Sequence, residues 1–179
     1  MKNGLSTLLA AALLLVPLLP STTHAGAANA VIFGKSYHLE SDRNWNENNS
    51  GLGIEYVFGG GETWTAIAMM NGFRDSTDNM SYMVGAGLHR RLYQSEQLAG
   101  FYVDVGLNAF FMTREDIDNN KPFPGILPSI SLGTEKVGMN LTYIPRSAIE
   151  STITRRMRDP NLKGVLFVQF KVSIDQLLP

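Results

Sequence analysis

Gly51-Leu52-Gly53-Ile54-Glu55-Tyr56-Val57-Phe58 carries large apolar side chains at every even position, with glycine, glutamate or valine between them. Successive side chains of a strand point to opposite faces, so this spacing builds one continuous apolar face. The pattern recurs four times. Tyr82, Val84, Ala86 and Leu88 alternate with Met83, Gly85, Gly87 and His89, and Val103, Val105 and Leu107 alternate with Tyr102, Asp104, Gly106 and Asn108. Val137, Met139, Leu141 and Tyr143 alternate with Gly138, Asn140 and Thr142, and Leu166, Val168, Phe170 and Val172 with Val165, Phe167, Gln169 and Lys171. Period two with one consistently apolar face is what a lipid-facing strand requires.

Three weaker segments, near 31–40, 63–73 and 126–134, bring the count to eight. Eight is the smallest usual number for a transmembrane barrel of the bacterial outer membrane, with short turns at one end and longer loops at the other. The connections fit. Gly59-Gly60-Gly61 and Thr134-Glu135-Lys136 are tight, whereas 41–50, 112–124 and 146–162 are long and polar. The expectation is therefore an all-β, eight-stranded antiparallel transmembrane β-barrel. A soluble sandwich or lipocalin-like barrel would instead turn a polar face outward.

The chain begins with a different signal. Lys2 precedes an apolar run, Leu5 to Leu19, interrupted by Pro17, and Pro20 follows it. Thr23-His24-Ala25 then offers a small-residue cleavage site, with Ala28-Asn29-Ala30 as a second possibility. Residues 1–25 read as a signal peptide, the alternative being an uncleaved anchor, and 26–179 as the barrel domain. Removing Lys2 leaves 14 basic against 16 acidic residues, a net charge near −2 that argues against a nucleic-acid partner. There is no cysteine, and only His38 and His89 follow residue 25, which leaves little material for a metal site.

The inward face is not uniformly polar, so a water channel is not expected. It carries Gly53, Gly85, Gly87, Gly106 and Gly138. Such glycines either leave a hollow for a ligand or simply permit the curvature of a narrow barrel. With both ends of the barrel domain in the periplasm, odd-numbered strands run outward. His38, near the end of the first, then meets Asp75-Ser76, just after the third, at one outer rim. A base, a carboxylate and a hydroxyl can serve acyl transfer, although Asp-Ser in a loop is more often simply turn chemistry and a lone histidine at a strand end is often just solvated. Arg146, Arg155, Arg156, Arg158 and Lys163 crowd the last outer segment. Their charges suit lipid A phosphates, or are an ordinary solvated loop.

Several of these segments, in order, resemble the PagP family of lipid A palmitoyltransferases. They are Asp42 to Gly53 with Asn46-Glu47; Trp64 to Phe73 running into Arg74-Asp75-Ser76; Val84-Gly85-Ala86-Gly87; Pro122 to Pro128; and Val137 to Pro145. The resemblance covers roughly 37–145. It implies an outer-membrane barrel that moves a palmitoyl chain from a phospholipid to lipid A. It implies catalytic roles for His38, Asp75 and Ser76, lateral openings in the wall at Pro128 and Pro145, and a pocket floor at Gly87. On that footing the inward glycines favour a hollow. Arg155 and Arg156 are the expected contacts to lipid A, no metal or cofactor is implied, and a monomer is expected. The chain departs from the enterobacterial members in a shorter first outer loop, a longer and more basic fourth one, and little room for a helix before the first strand. A lipid A deacylase and a non-catalytic small barrel are the competing readings.

Overall fold

The structure, a computed structural model, describes residues 26–58, 63–152 and 159–174. The signal-peptide segment, Gly59-Gly60-Gly61, Arg155 and Arg156 lie outside the described residues. Eight strands follow one another in sequence: β1 (Ala27–Leu39), β2 (Gly51–Phe58), β3 (Trp64–Arg74), β4 (Met80–Ser95), β5 (Phe101–Met112), β6 (Phe123–Gly133), β7 (Val137–Pro145) and β8 (Gly164–Ser173). Each pairs antiparallel with its neighbour, and β1 pairs with β8 to close the barrel. Closure leaves no strand with a wholly free edge, as an open sheet in lipid would. A short helix, α1 (Arg146–Thr152), follows β7 within a segment read from sequence as loop.

The alternation reads out as expected. Leu52 is 71 % exposed and Ile126 68 %, with Met70, Tyr82, Val84, Leu88, Leu107 and Phe170 exposed around the same wall. Between them Glu55 is 2 % exposed, and Asn71, His89, Asp104, Asn140, Gln169 and Lys171 are buried. So large an apolar surface around the whole circumference is the outside of a membrane barrel, not of a soluble one. Among the described residues no helix is long and apolar enough to cross a membrane.

The interior has two storeys. At the turn end it is polar and filled. Lys171 Nζ lies 2.7 Å from Glu55 Oε1, while Asn140 and Asn29 donate to the same carboxylate at 3.0 and 3.3 Å. Arg91 grips Asp104 through Nε at 2.7 Å and Nη2 at 3.1 Å. At the loop end the interior is apolar, with Val31 and Phe73 packed against Met83, Met112 and Phe167.

The barrel also departs from regularity in two places that matter for the site. In β1 the register against β8 slips between Phe33 and Lys35. In the wall between β6 and β7, pairing runs only from Gly133↔Gly138 to Ser129↔Thr142. Beyond that point 123–128 of β6 and 143–145 of β7 have no ladder between them.

Candidate functional site: the loop-end rim and the hollow beneath it

His38 faces the barrel interior because of the β1 bulge. Val31 points inward, so strict alternation would send residue 38 out to the lipid side. The extra residue at the bulge reverses the parity, and Ser36 and His38 turn inward instead. The His38 side chain is 5 % exposed. Its ring stacks on Trp45 with centroids 5.0 Å apart and planes 13° from parallel. Its Nδ1 lies 3.6 Å from Glu47 Oε1, and its own backbone N–H donates to that same oxygen at 3.1 Å. Trp45 is fixed in turn, its indole donating to Ser41 Oγ at 2.7 Å.

Asp75 is buried at the head of the loop after β3. Its Oδ1 accepts the Thr77 N–H at 2.8 Å, the Thr77 hydroxyl at 2.7 Å and the Asn79 N–H at 3.2 Å. Its Oδ2 accepts the Ser81 hydroxyl at 2.8 Å and lies 3.8 Å from Arg114 Nε. Burial pushes this carboxyl upward, but the Thr77 hydrogen bonds, the Arg114 charge and the Ser81 hydroxyl outweigh it. The acid is held below its ordinary range and stays ionised. Asp75 thus organises the loop that presents Ser76, and its partners do not include His38. The carboxylate beside the imidazole is Glu47.

The two halves of the rim meet through one dipeptide. Asn46 takes the Ser76 carbonyl with its backbone N–H at 3.0 Å and the Asp75 carbonyl with its side-chain amide at 3.0 Å. The next residue is Glu47. Trp45, Asn46 and Glu47 therefore tie His38 on β1 to the Asp75-Ser76 loop. Arg114, just past β5, completes the rim, holding Asp116 at 2.8 and 3.0 Å.

Beneath the rim lies the hollow. One cavity of about 100 Å³ is lined by Met69, Phe73, Met83, Phe110, Met112 and Phe167, with Asn108, Thr142 and Gln169 the polar residues at its deep end. A second, of about 360 Å³, shares Ser76, Phe110, Met112, Arg114 and Leu127 with it and reaches His38. It also touches Ile126, whose side chain is on the outer face, and Ile144, Ala148 and Ile149 across the unpaired stretch of β6 and β7. The hollow opens sideways through the wall there. Pro128 stands at the first unpaired position of β6 and Pro145 ends β7. A proline has no N–H to extend a ladder.

The residues lining the hollow do not include the five inward glycines. A Cβ at Gly53 would meet the Asn71 amide, at Gly87 the Asn108 amide, at Gly106 the His89 ring, and at Gly138 the Tyr102 hydroxyl. These glycines make room for polar neighbours rather than for empty space. Gly87 sits directly behind the floor. Asn108 Oδ1 is 2.9 Å from His89 Nε2, and its amide donates to Ser129 Oγ at 2.9 Å.

The last outer segment is partly paired: Arg146 holds Glu150 at 2.7 Å and donates to the Pro160 carbonyl at 2.7 Å. Among the described residues no three or more His, Asp and Glu side chains are arranged to hold a metal ion. Chemically, the rim offers a buried imidazole backed by a carboxylate, a hydroxyl-bearing loop and a guanidinium, all at the mouth of an apolar cavity. Sequence reading missed Trp45, Arg114 and Ser81, and noted Asn46-Glu47 only as part of a resemblance.

A family model described as "Antimicrobial peptide resistance and lipid A acylation protein PagP" matches residues 28–155. A Methylobacillus flagellatus protein named Lipid A acyltransferase PagP is 35 % identical over 82 residues, covering 46 % of this chain and 42 % of its own length. Proteins of the same name from Bordetella pertussis and Bordetella bronchiseptica are 30 % identical over 112 residues, 61 % of this chain and 58 % of theirs. The chain spans about half the length of these relatives.

Proposed function

The chain belongs to the PagP family, and on that premise we propose that it is an outer-membrane acyltransferase that moves a palmitoyl chain from a phospholipid to lipid A. One observation carries the reading. The apolar hollow of about 360 Å³ opens at once to His38 and Ser76 and, through the unpaired β6–β7 wall, to the lipid-facing side. A single-chain apolar pocket that a lipid can enter sideways suits a membrane-borne acyl donor better than a soluble one.

In this reading the donor's acyl chain fills the hollow and its ester carbonyl rests at the rim. A hydroxyl of a lipid A hydroxyacyl chain attacks the carbonyl carbon while His38 takes its proton as general base. The tetrahedral intermediate collapses, the bond from carbonyl carbon to glycerol oxygen breaks, and His38 returns the proton to that oxygen. The products are acylated lipid A and a lysophospholipid, with no other reactant needed. Ser76 polarises the ester carbonyl, and Asp75 holds Ser76 and Arg114 in place. A covalent acyl-serine is not part of the scheme. Pro128 and Pro145 frame the lateral entry, Gly87 sets the floor from behind Asn108, and Arg155 and Arg156 contact lipid A phosphates. The protein acts as a monomer in the outer leaflet.

The test is mass spectrometry of lipid A from cells with and without the gene. A gain of one palmitoyl group supports transfer. A loss of an acyl group would mean hydrolysis at the same rim, and no change a non-catalytic barrel.

A further inference from the structure

We propose that Glu47 is the positioning carboxylate of the site: it fixes the orientation and tautomer of His38, a task the resemblance would leave to Asp75. The inference rests on the functional reading above. Three observations carry it. First, Asp75 is fully committed elsewhere, its two oxygens taken by Thr77, Asn79, Ser81 and Arg114, and it makes no hydrogen bond to His38. Second, His38 Nδ1 is buried with no hydrogen-bond partner in the resting geometry, and the nearest carboxylate oxygen is Glu47 Oε1 at 3.6 Å. That oxygen is already pinned by the His38 backbone N–H at 3.1 Å, and the Glu47 carbonyl accepts the Ser36 N–H at 3.0 Å. Third, the ring is stacked on Trp45, which holds its plane at the Glu47 side of the rim.

The chemistry follows from the two ring nitrogens. With Nδ1 facing a carboxylate, the neutral ring carries its proton on Nδ1 and leaves Nε2, at the opposite edge, unprotonated to accept one. As His38 takes the acceptor's proton it becomes an imidazolium. A small closure of 3.6 Å to hydrogen-bond distance then brings the Glu47 charge to bear when it is needed, in keeping with catalytic hydrogen bonds that are long at rest and tighten in the complex. Burial disfavours the charged ring, as does the Arg114 cation, and of the two anions that favour it Glu47 acts more strongly than Asp159. Asn46, one residue earlier, holds the Ser76 carbonyl, so the same loop sets the distance between base and ester.

The experiment uses the processed chain refolded in detergent, with a phosphatidylethanolamine bearing a sixteen-carbon chain as donor and lipid A as acceptor. Heat-modifiable gel migration confirms that each variant is folded. Glu47→Gln should lower kcat by about tenfold or more, by analogy with the loss of a carboxylate that orients a metal-bound histidine. KM should stay within about twofold. The acidic limb of the pH–rate profile should move to lower pH, because the imidazolium loses its counter-charge. Glu47→Asp should recover part of the rate. Independently of turnover, nitrogen-15 NMR of His38 should show the Nδ1–H tautomer in wild type and a shift toward Nε2–H in Glu47→Gln. An unchanged tautomer with an unchanged pH profile in the folded variant overturns the inference. An inactive wild type that nevertheless shows the Glu47-dependent tautomer overturns the acyltransferase reading while leaving the pairing itself in place.

Discussion

The two storeys of this barrel share one wall and differ in everything that wall encloses. Around the outside, Leu52, Leu88, Leu107 and Phe170 continue the same apolar surface from end to end. Inside, the turn end is filled by Glu55–Lys171, Arg91–Asp104 and the His89–Asn108–Ser129 set, while the loop end is walled by methionine, phenylalanine and leucine around a cavity. The outer alternation answers to one solvent and is therefore uniform. The inner face answers to two tasks. At the turn end, inward polar groups must find partners, because an unpaired one in a low-dielectric interior is costly. At the loop end the hollow stays unfilled, which forgoes packing. The candidate chemistry gathers where the loop-end storey meets solvent, at the rim.

The largest effects should follow from breaking the rim. His38→Ala and Ser76→Ala are each expected to lower transferase activity by about a hundredfold to ten-thousandfold, with folding retained, because they belong to the functional storey alone. The check is a phospholipid-to-lipid A assay on heat-modifiable protein. If His38→Ala stays within about twofold of wild type, the base is misassigned. Asp75→Ala should lose activity and also loosen its loop, since it strands the Thr77 and Asn79 amides.

Next comes the filled storey. Lys171→Met leaves Glu55 buried without its counter-charge and should cost the barrel about 3–5 kcal/mol in urea unfolding. Adding Glu55→Gln should recover most of that loss. A double variant as unstable as the single one would mean that the turn-end network does not act as a pair.

A smaller effect lies on the boundary between the storeys. A side chain at Gly87 must push Asn108 into the hollow and raise its floor. Two methylenes' worth of lost burial is about 1.6 kcal/mol, or on the order of fifteenfold in favour of a fourteen-carbon over a sixteen-carbon donor. Donor competition between Gly87→Met and wild type, at matched folded amounts, reads this out. An unaltered preference in a well-folded variant would move the floor elsewhere. The smallest effect belongs to the exposed Arg74–Asp78 pair at 3.3 Å. Arg74→Ala should change stability by less than about 1 kcal/mol, measured by the same unfolding.

How much of this was legible follows from the same contrast. Lipid-facing positions repeat every second residue with one chemistry, so β2, β4, β5, β7 and β8 stand out from sequence alone. β1 was weak because its bulge at Phe33/Lys35 reverses the parity midway, and β4 was read short because it slips again between Arg91 and Tyr93. The inward set has no such monotony. The residues alone left Gly87 and Gly53 open between a hollow and mere curvature, and the resemblance favoured a hollow, yet a neighbouring strand's asparagine occupies the space beside each. His38 and Asp75-Ser76 were brought to one rim by strand parity and resemblance. Glu47 beside His38, and Asn46 beside Ser76, could not be read, because those contacts are set by how one outer loop folds back over the barrel mouth. Periodicity does not report that.

The most direct measurement incubates the purified barrel with a phospholipid carrying an isotopically labelled sixteen-carbon chain and with lipid A, then weighs both product pools. The account predicts labelled acyl groups on lipid A and lysophospholipid in equal amounts, both abolished by His38→Ala. Labelled free fatty acid without acylated lipid A, or no turnover by a correctly folded barrel, would contradict it.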